Sequence, residues 1–505
     1  MEVSHTWSVS ESAALHQLGH FVRVRQQAWQ SGTPSYEQFE QAVHEQVMTL
    51  ERELLAAELA RYDVDAEDIE VGGVRYQPVW ENTETYLTAA GEVQVQRHLY
   101  RPAGRNAKSI CPLELRVGIV DGYWTPCAAR QGTFVTAQLP PGAGEALFAE
   151  LRAMTPSRSS LDRLPRELSD RWEAKRAEWE TALRAQETVP AAAVSVAFSV
   201  DGVMVAMKAK AIRRTAKQAE AGKHASGPAG HQEAGCGTVS LYDADGDRVQ
   251  TLRYARMPES KKVTLQAQLQ GEAQALWAIR PDLRRVHLAD GAEGNWKLLA
   301  EIEHALGLSP ETRLEIVDFY HACGHLQNGC DAIWGESTPR SQAEFLRLKT
   351  LLKEEAGGAD RIIRTFKHHA VRTTGNRQRR IQAELTYFRN QRPRMNYPAY
   401  VRQHLPIASG VMEAACKTLV TQRLKSSGMA WSPAGGQAIL TFRSLIQSAR
   451  WPRAWQLLAA DFRQPVTVVK PLPEKVRPRQ HPLDQIAPPT TMPEASNYHA
   501  LPLVV

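Results

Sequence analysis

From Val189 the chain turns abruptly apolar and β-branched, and from there to Asp318 its hydrophobic patterning keeps one order. Apolar runs at 192 to 200, 237 to 243 and 248 to 256 read as three consecutive strands. A helical period at 263 to 279, a strand at 284 to 289, a second helix at 293 to 306 and a strand at 313 to 318 follow. Three strands and then alternating helix and strand predict a mixed α/β sheet covered by helices.

Such a core accounts for only part of the chain. At 505 residues the sequence exceeds what one hydrophobic core usually supports, and several compact units are expected at roughly 100 to 200 residues each. Apolar residues at 43% and charged residues at 23% suit a soluble globular protein, and no run of about 18 apolar residues is present to span a bilayer. The opening Met-Glu-Val-Ser-His-Thr lacks the segments of a secretory signal, so a cytoplasmic location and no membrane partner are expected. Six scattered cysteines (Cys111, Cys127, Cys236, Cys323, Cys330, Cys416) show no paired CxxC spacing, which argues against a disulfide framework or a zinc ribbon. The net charge of +6 is too mild to establish a nucleic-acid partner.

Around the core the organisation is read as follows. Residues 1 to 70 form a helical region; its segment from 37 to 59 has apolar residues at helical spacing, for dimerisation or for packing. Residues 71 to 188 hold a small β element, with alternation at Val93 and Val95 after the Gly91 turn, and then a helix, a break at Thr155-Pro156 and a helix opened by Ser157. The helix pair is either a helix-turn-helix able to enter a major groove or two ordinary packed helices. The first part of the core spans 189 to 320, with a mobile loop expected from Lys208 to Gly235. A helical insertion runs from 321 to 405, the core resumes at 406 to 455, and the Pro-rich stretch from 456 to 505 is expected to be disordered. Between Arg361 and Arg402 eleven Lys/Arg face a single acid, Glu384, with Phe366, Tyr387, Phe388, Tyr397 and Tyr400 interleaved. That stretch suits either a phosphate-neutralising surface with stacking or packing aromatics, or a solvated helix face.

Two acids end apolar strands: Asp201 in Phe-Ser-Val-Asp-Gly and Asp290 in Val-His-Leu-Ala-Asp-Gly. If the first and fourth strands are neighbours, both project into the crevice where α/β sheets bind ligands, although either Asp-Gly alone also reads as a turn. Glu413 falls in the first turns of a helix that Ser409 can cap, among Val411, Met412, Ala414 and Ala415. It is expected to be buried, against Lys417 at i+4 or against a metal. Three carboxylates suit a hard ion such as Mg2+ (or Mn2+), and two ions about 4 Å apart serve phosphodiester cleavage by activating the nucleophile and stabilising the leaving oxygen. Without metal, mutual repulsion raises at least one of the carboxyl pKa values.

Four blocks carry a family resemblance: Ser-Val-Asp-Gly at 199 to 202; Cys-Gly-Thr-Val-Ser-Leu-Tyr-Asp at 236 to 243; Asp-Gly-Ala-Glu-Gly-Asn-Trp at 290 to 296 with Asp-Phe-Tyr-His-Ala-Cys-Gly-His-Leu at 318 to 326; and Ser-Gly-Val-Met-Glu-Ala-Ala-Cys-Lys through Gln-Arg-Leu-Lys-Ser-Ser-Gly-Met-Ala-Trp at 409 to 431. With these the chain resembles the DDE/DDD-superfamily transposases of bacterial insertion sequences, specifically the ISKra-type family, over roughly 190 to 455. The resemblance implies an RNase H-like mixed sheet with a helical insertion, Asp201, Asp290 and Glu413 as catalytic metal ligands, and a pair of Mg2+ or Mn2+ ions. It implies cutting at element ends and joining of 3′-hydroxyls to target DNA. The partners would be double-stranded DNA, as terminal inverted repeats and target, and a second copy of the chain in a synaptic homodimer on the nucleoid. Where relatives carry a Cys-rich segment after a Tyr-Arg pair, Tyr100-Arg101 is followed here by Pro-Ala-Gly-Arg, so zinc is not expected.

Other residues have two readings. Asp318, His321, Cys323 and His325 look similar to the Cys-x2-His element of Mutator-like transposases, with Asp318 in the place of the cysteine; a helix-start hydrogen-bond network or a DNA-side role is favoured over zinc. Lys417, Arg423 and Lys425, and Arg377, Arg379 and Arg380 in the basic segment, are expected to grip phosphates or to be solvated. Trp296, Trp334 and Trp431 either stack on an unpaired base or pack in the core. Asp243, Asp245 and Asp247 read as a hairpin turn. Two alternatives to an active transposase stand beside it: a catalytically silent, transposase-derived DNA-binding regulator, and a cellular nuclease.

Overall fold

The computed structural model describes residues 12–33, 35–102, 108–208 and 230–471. Two helices open the chain, α1 (Ala13–Ala28) and α2 (Tyr36–Ala60), each begun by a serine whose hydroxyl accepts a backbone N–H of the first turn. Strands β1 (Ala66–Val71), β2 (Val74–Thr88) and β3 (Gly91–Pro102) follow as an antiparallel meander. Helices α3 (Pro112–Val117), α4 (Pro126–Gln138), α5 (Pro141–Leu151) and α6 (Arg158–Ala185) lead into the large sheet. The segment read as a helix-turn-helix is thus α5 and the first turns of one long helix, and Leu161, Leu164 and Leu168 of α6 are buried in a core with Trp124 and Trp172.

The large sheet contains β4 (Ser195–Ala206), β5 (His231–Tyr242), β6 (Arg248–Arg256), β7 (Arg284–Ala289) and β8 (Arg313–Val317), in the order β6-β5-β4-β7-β8. The first three pair antiparallel, while β4 with β7 and β7 with β8 pair parallel. Helices α7 (Val263–Ile279) and α8 (Glu293–Ala305) supply the crossovers that parallel neighbours require. Ser195 to Val200 of the central strand are all buried, as expected for a strand covered on both faces. Helix α7 covers one face: Leu265 and Leu269 lie against Gly237, and Trp277 stacks on Phe198 at 5.7 Å.

The insertion consists of α9 (Phe319–Trp334), α10 (Pro339–Glu354), α11 (Gly358–Ala370), α12 (Gly375–Gln391) and α13 (Tyr397–Arg402). It shares one hydrophobic core with the sheet, and the aromatic residues Phe366, Phe388, Tyr397 and Tyr400 of the basic segment are buried there. Of the two roles expected for them, stacking or packing, these four pack. Returning to the sheet, the chain forms α14 (Gly410–Ala415), a π-helical turn (Cys416–Thr421) and α15 (Gln422–Leu424) as one continuous helical stretch. Arg443 of the next helix, α16 (Pro433–Gln447), donates to the carbonyls of Thr418 and Leu419 in the π turn, which is how carbonyls displaced from the regular ladder are satisfied.

Helix α17 (Trp451–Phe462) packs with α6, burying Trp451, Trp455 and Leu458, and β9 (Thr467–Pro471) pairs antiparallel with β1. The stretch from 456, expected to be disordered, is thus ordered to Pro471; the rest of it lies outside the described residues, as does most of the loop expected after Lys208. Gly235 belongs to β5. No helix among the described residues is long and apolar enough to cross a membrane.

Candidate active site

Asp201 does not end its strand; it stands in the middle of β4, opposite Cys236 of β5, because the hairpin with β5 continues to Ala206. What ends near Asp201 is the pairing with β7, whose last partners are Ser199 and Leu288. Continuing that parallel register by two residues sets Asp201 level with Asp290, on neighbouring strands spaced about 4.8 Å apart. The same register from β7 to β8, whose last pair is Ala289 and Val317, sets Asp290 level with Asp318. Three aspartates thus come to one row at the carboxyl ends of the parallel strands.

Two of the three act on each other. Burial raises the Asp201 carboxyl above the ordinary range, the backbone N–H of Gly202 works against this, and the charge of Asp290 raises it further. One Asp290 oxygen accepts from the N–H of Ala292 at 3.0 Å and from Asn295 Nδ2 at 3.1 Å. Lys262 Nζ bonds Glu233 at 2.7 Å and Asn295 at 3.4 Å, and its charge pulls the Asp201 carboxyl back down. Lys261 and Lys262 both have positive φ, 53° and 52°, an uncommon conformation for residues carrying a Cβ, and it is this turn into α7 that delivers the ammonium group.

The insertion holds the Asp290 loop from outside. Tyr387 of α12 donates its hydroxyl to the Asp290 carbonyl at 3.3 Å, and Gln391 Nε2 reaches the Gly291 carbonyl at 2.8 Å. Gly291 has φ +104°, and a Cβ there would lie 3.1 Å from the Tyr387 ring, so a glycine is needed for conformation and for space.

Asp318 plays another part. It is fully buried; one oxygen caps α9 by accepting the N–H of His321, and the other accepts the N–H of Ser409. The Phe319 N–H donates to the Ile407 carbonyl at 2.8 Å. The end of β8 therefore anchors the start of α14, which carries Glu413. His325 bonds Glu384 at 2.6 Å and stacks on Tyr387 at 3.6 Å, while Cys323 is buried. The 318 to 325 segment is thus a helix-start network.

Helix α14 and the π turn lie on the face of the sheet toward which Asp201 points. The Cys416 thiol is 3.8 Å from Asp201 Oδ2, the Thr238 hydroxyl of β5 is 3.8 Å from Met412 sulfur, and Cys416 and Cys236 are in contact behind the carboxylate. Glu413 is placed one helical turn before Cys416. It is exposed rather than buried, and no ion pair with Lys417 forms, which corrects the expected burial and pairing: Met412 and Ala415 take the buried positions of this helix and leave position 413 open to solvent. Ser409 precedes the helix without a side-chain cap. Among the described residues, no group of three or more His, Cys, Asp or Glu side chains is close enough to hold a metal ion. Asp201 and Asp290 are brought together, and Glu413 stands a turn away.

The basic residues divide. Lys417 and Lys425 are exposed on the helical stretch that follows Glu413, and Arg379 and Arg380 are exposed on α12. Arg377 donates to the carbonyls of Ala332 and Ile333 and so closes the end of α9. Arg423, expected on the surface, is buried and donates Nε and Nη2 to the Thr136 carbonyl. Trp296 is buried under Arg394, Trp334 packs against the main core, and half-buried Trp431 donates to the Leu424 carbonyl. Asp243 accepts the N–H groups of Asp245 and Asp247, closing a hairpin turn. Lys262, Asn295, Tyr387 and Cys416 are the site neighbours that sequence reasoning missed. Asn295 stands five residues after Asp290 and two beyond the start of the next helix, and that spacing is the signal the sequence offers.

No family model matches the chain, and no curated relative matches it. A solved structure of the Drosophila P element transposase strand transfer complex aligns over 67% of this chain and 81% of that one, at 10% identity and a TM-score of 0.24. At that score the overlap carries no argument.

Proposed function

We propose that the chain is a metal-dependent DNA transposase of the bacterial insertion-sequence type, with Asp201, Asp290 and Glu413 as its catalytic carboxylates on an RNase H-like core. The observation that carries this reading is the register that sets Asp201 level with Asp290, joined by the charge of Asp290 raising the Asp201 carboxyl. The strand order, with three antiparallel strands and two parallel ones, and the helical insertion before Glu413 support it.

The donor set fits Mg2+ or Mn2+, since Asp201 and Asp290 offer hard oxygens and Asp201 is partly buried at a cost that a cation would offset. Bound divalent ions would activate the attacking water or hydroxyl and stabilise the leaving oxygen. The residues themselves do the positioning. Asp201 is held between strands and against Cys416, Asp290 is fixed by Asn295 and by the roof of Tyr387 and Gln391, and Lys262 limits the repulsion between the two acids. Glu413, on a helix hung from Asp318, supplies the third carboxylate from a solvent-open position one turn before Cys416, which touches Asp201. Exposed Lys417, Lys425, Arg379 and Arg380 contact the phosphates of double-stranded DNA, as element ends and target, and a homodimer brings two ends together.

The exposure of Glu413 favours a second reading, a catalytically silent DNA-binding regulator of the same descent. Cleavage of element-end DNA in Mg2+ separates the two. Asp201→Asn, Asp290→Asn and Glu413→Gln should each abolish cleavage and leave DNA binding largely intact; cleavage at the wild-type level by any one removes that residue from the mechanism, and an inactive wild type supports the regulator.

A further inference from the structure

At the far end of β4 a cavity of about 330 Å³ opens between α6 and the segment that joins α15 to α16. Arg423 and Trp431 line it together with Arg158, Asp162, Arg166 and Lys208. Four of those side chains are cationic and one is acidic, and the acid, Asp162, already pairs with Arg166 at 2.8 Å. Arg158, Arg166 and Lys208 are exposed at the cavity, whereas Arg423 is only 3% exposed.

Arg423 is the unusual member. A buried guanidinium normally meets a carboxylate, because leaving a charge unpaired in a low-dielectric interior is costly. Here Nε and Nη2 share the single carbonyl of Thr136, and Nη1 is buried with no hydrogen-bond partner among the described residues. The guanidinium lies 5.3 Å from the Trp431 ring centroid. A second buried arginine, Arg443, stands near it and likewise bonds only carbonyl and amide oxygens, those of Thr418, Leu419, Ala137 and Gln138. Burial, with the charge of Arg443 added, lowers Arg423 to about 10, against the smaller pull of Asp162, so an anion placed beside it would relieve an unfavourable charge.

We infer that this cavity is a binding site for a phosphate group, with Arg423 at its wall and Arg158, Arg166 and Lys208 at its mouth. The phosphate can belong to a DNA strand or to a free phosphate compound. Placement favours the strand: Met207 bridges to Trp431, six residues along β4 from Asp201. At about 3.3 Å per strand residue that distance is about 20 Å. Along a duplex, at about 3.4 Å per base pair, it corresponds to about six base pairs from the position facing Asp201. The DNA assignment rests on the function proposed above; the phosphate site does not.

The test uses the full chain, an Arg166→Ala/Lys208→Ala double variant that alters only exposed side chains, and Arg423→Met, which replaces the buried charge with an apolar chain. In the first arm, thermal unfolding is followed in inorganic phosphate and in chloride at equal ionic strength. Phosphate should raise the wild-type midpoint by about 1 to 2 °C near ten times its Kd, and less in both variants. In the second arm, binding of a mixed-sequence duplex oligonucleotide is followed by anisotropy against salt. The slope of log K on log salt should fall by about 0.9 for each DNA phosphate that a variant no longer neutralises. A phosphate effect that disappears in the variants while the salt slope stays unchanged assigns the site to a free phosphate compound. A wild type that binds no duplex but is stabilised by phosphate overturns the proposed function and upholds the site. Equal phosphate responses, or none, in all three proteins, together with equal salt slopes, would overturn the inference.

Discussion

Asp201 is drawn both ways: burial and Asp290 push its carboxyl pKa up, while the Gly202 N–H and Lys262 hold it down. A carboxyl whose folded-state pKa is raised binds protons more tightly folded than unfolded, so ionising it costs stability as pH rises from the unfolded value, near 3.9, through the raised one. A divalent ion bound to the ionised form offsets that cost. Stabilisation by Mg2+ against urea should therefore grow as pH rises across this window, and more steeply in wild type than in Asp201→Asn; equal pH dependence in the two would contradict the assignment. Lys262→Met removes the opposing cation and should move the acid limb of any cleavage activity to higher pH, visible in a rate profile. Asp318→Ala should destabilise by roughly 2 to 4 kcal/mol in urea unfolding, because a helix cap is removed and the Ser409 N–H is left unpaired. These roles were unevenly legible. Asp201 and Asp290 each stand where an apolar run meets a glycine, so pattern alone found them. Lys262 reaches the site only through a left-handed backbone, and Arg423 is buried only because α4 offers it a carbonyl, and neither fact leaves a mark in local sequence.

At the scale of elements, β6, α7 and β7 occupy the spans read from periodicity, since each is a run bounded by turn residues. β4 and β5 are longer than their apolar runs because hairpin pairing carries them past the buried stretch into exposed sequence. β9 was invisible: a short, exposed strand in a Pro-rich stretch exists only because β1 supplies its partner from the other end of the chain. Truncation after Gln464 should cost β1 the hydrogen-exchange protection of its amides that point toward β9, one of the two at Ile69 and Glu70, while leaving its amides that point toward β2, and Phe198 in β4, unchanged. Nearby, His98 on β3 bonds Asp63 at 2.6 Å, and that hydrogen bond raises its pKa against the opposing effect of burial. Its contribution to stability is fully present below the unfolded value, near 6.5, and is lost as pH rises through the raised one. The stability difference between wild type and His98→Gln should accordingly shrink from acid to alkaline pH in urea titrations.

Across the whole molecule, one sheet collects what the chain separates. Asp201 and Asp290 arrive on adjacent strands, and the insertion leaves at Asp318 and returns at Ser409, where Asp318 itself closes the excursion. The insertion is joined to the sheet by a common hydrophobic core, so Tyr387 and Gln391 can support the Asp290 loop. The layout of core and insertion was legible because helical and strand periods differ; the exposure of Glu413 was not, because apolar or small Val411, Met412, Ala414 and Ala415 surround it in sequence and only Met412 and Ala415 are buried. The central claim is that Asp201, Asp290 and Glu413 share divalent ions. Electron paramagnetic resonance of Mn2+ titrated into the full chain tests it most directly. Wild type should bind Mn2+, and each of Asp201→Asn, Asp290→Asn and Glu413→Gln should bind it at least about tenfold more weakly, on the order of 1.4 kcal/mol. Undiminished Mn2+ binding by any of the three variants, or none by wild type, would contradict shared coordination.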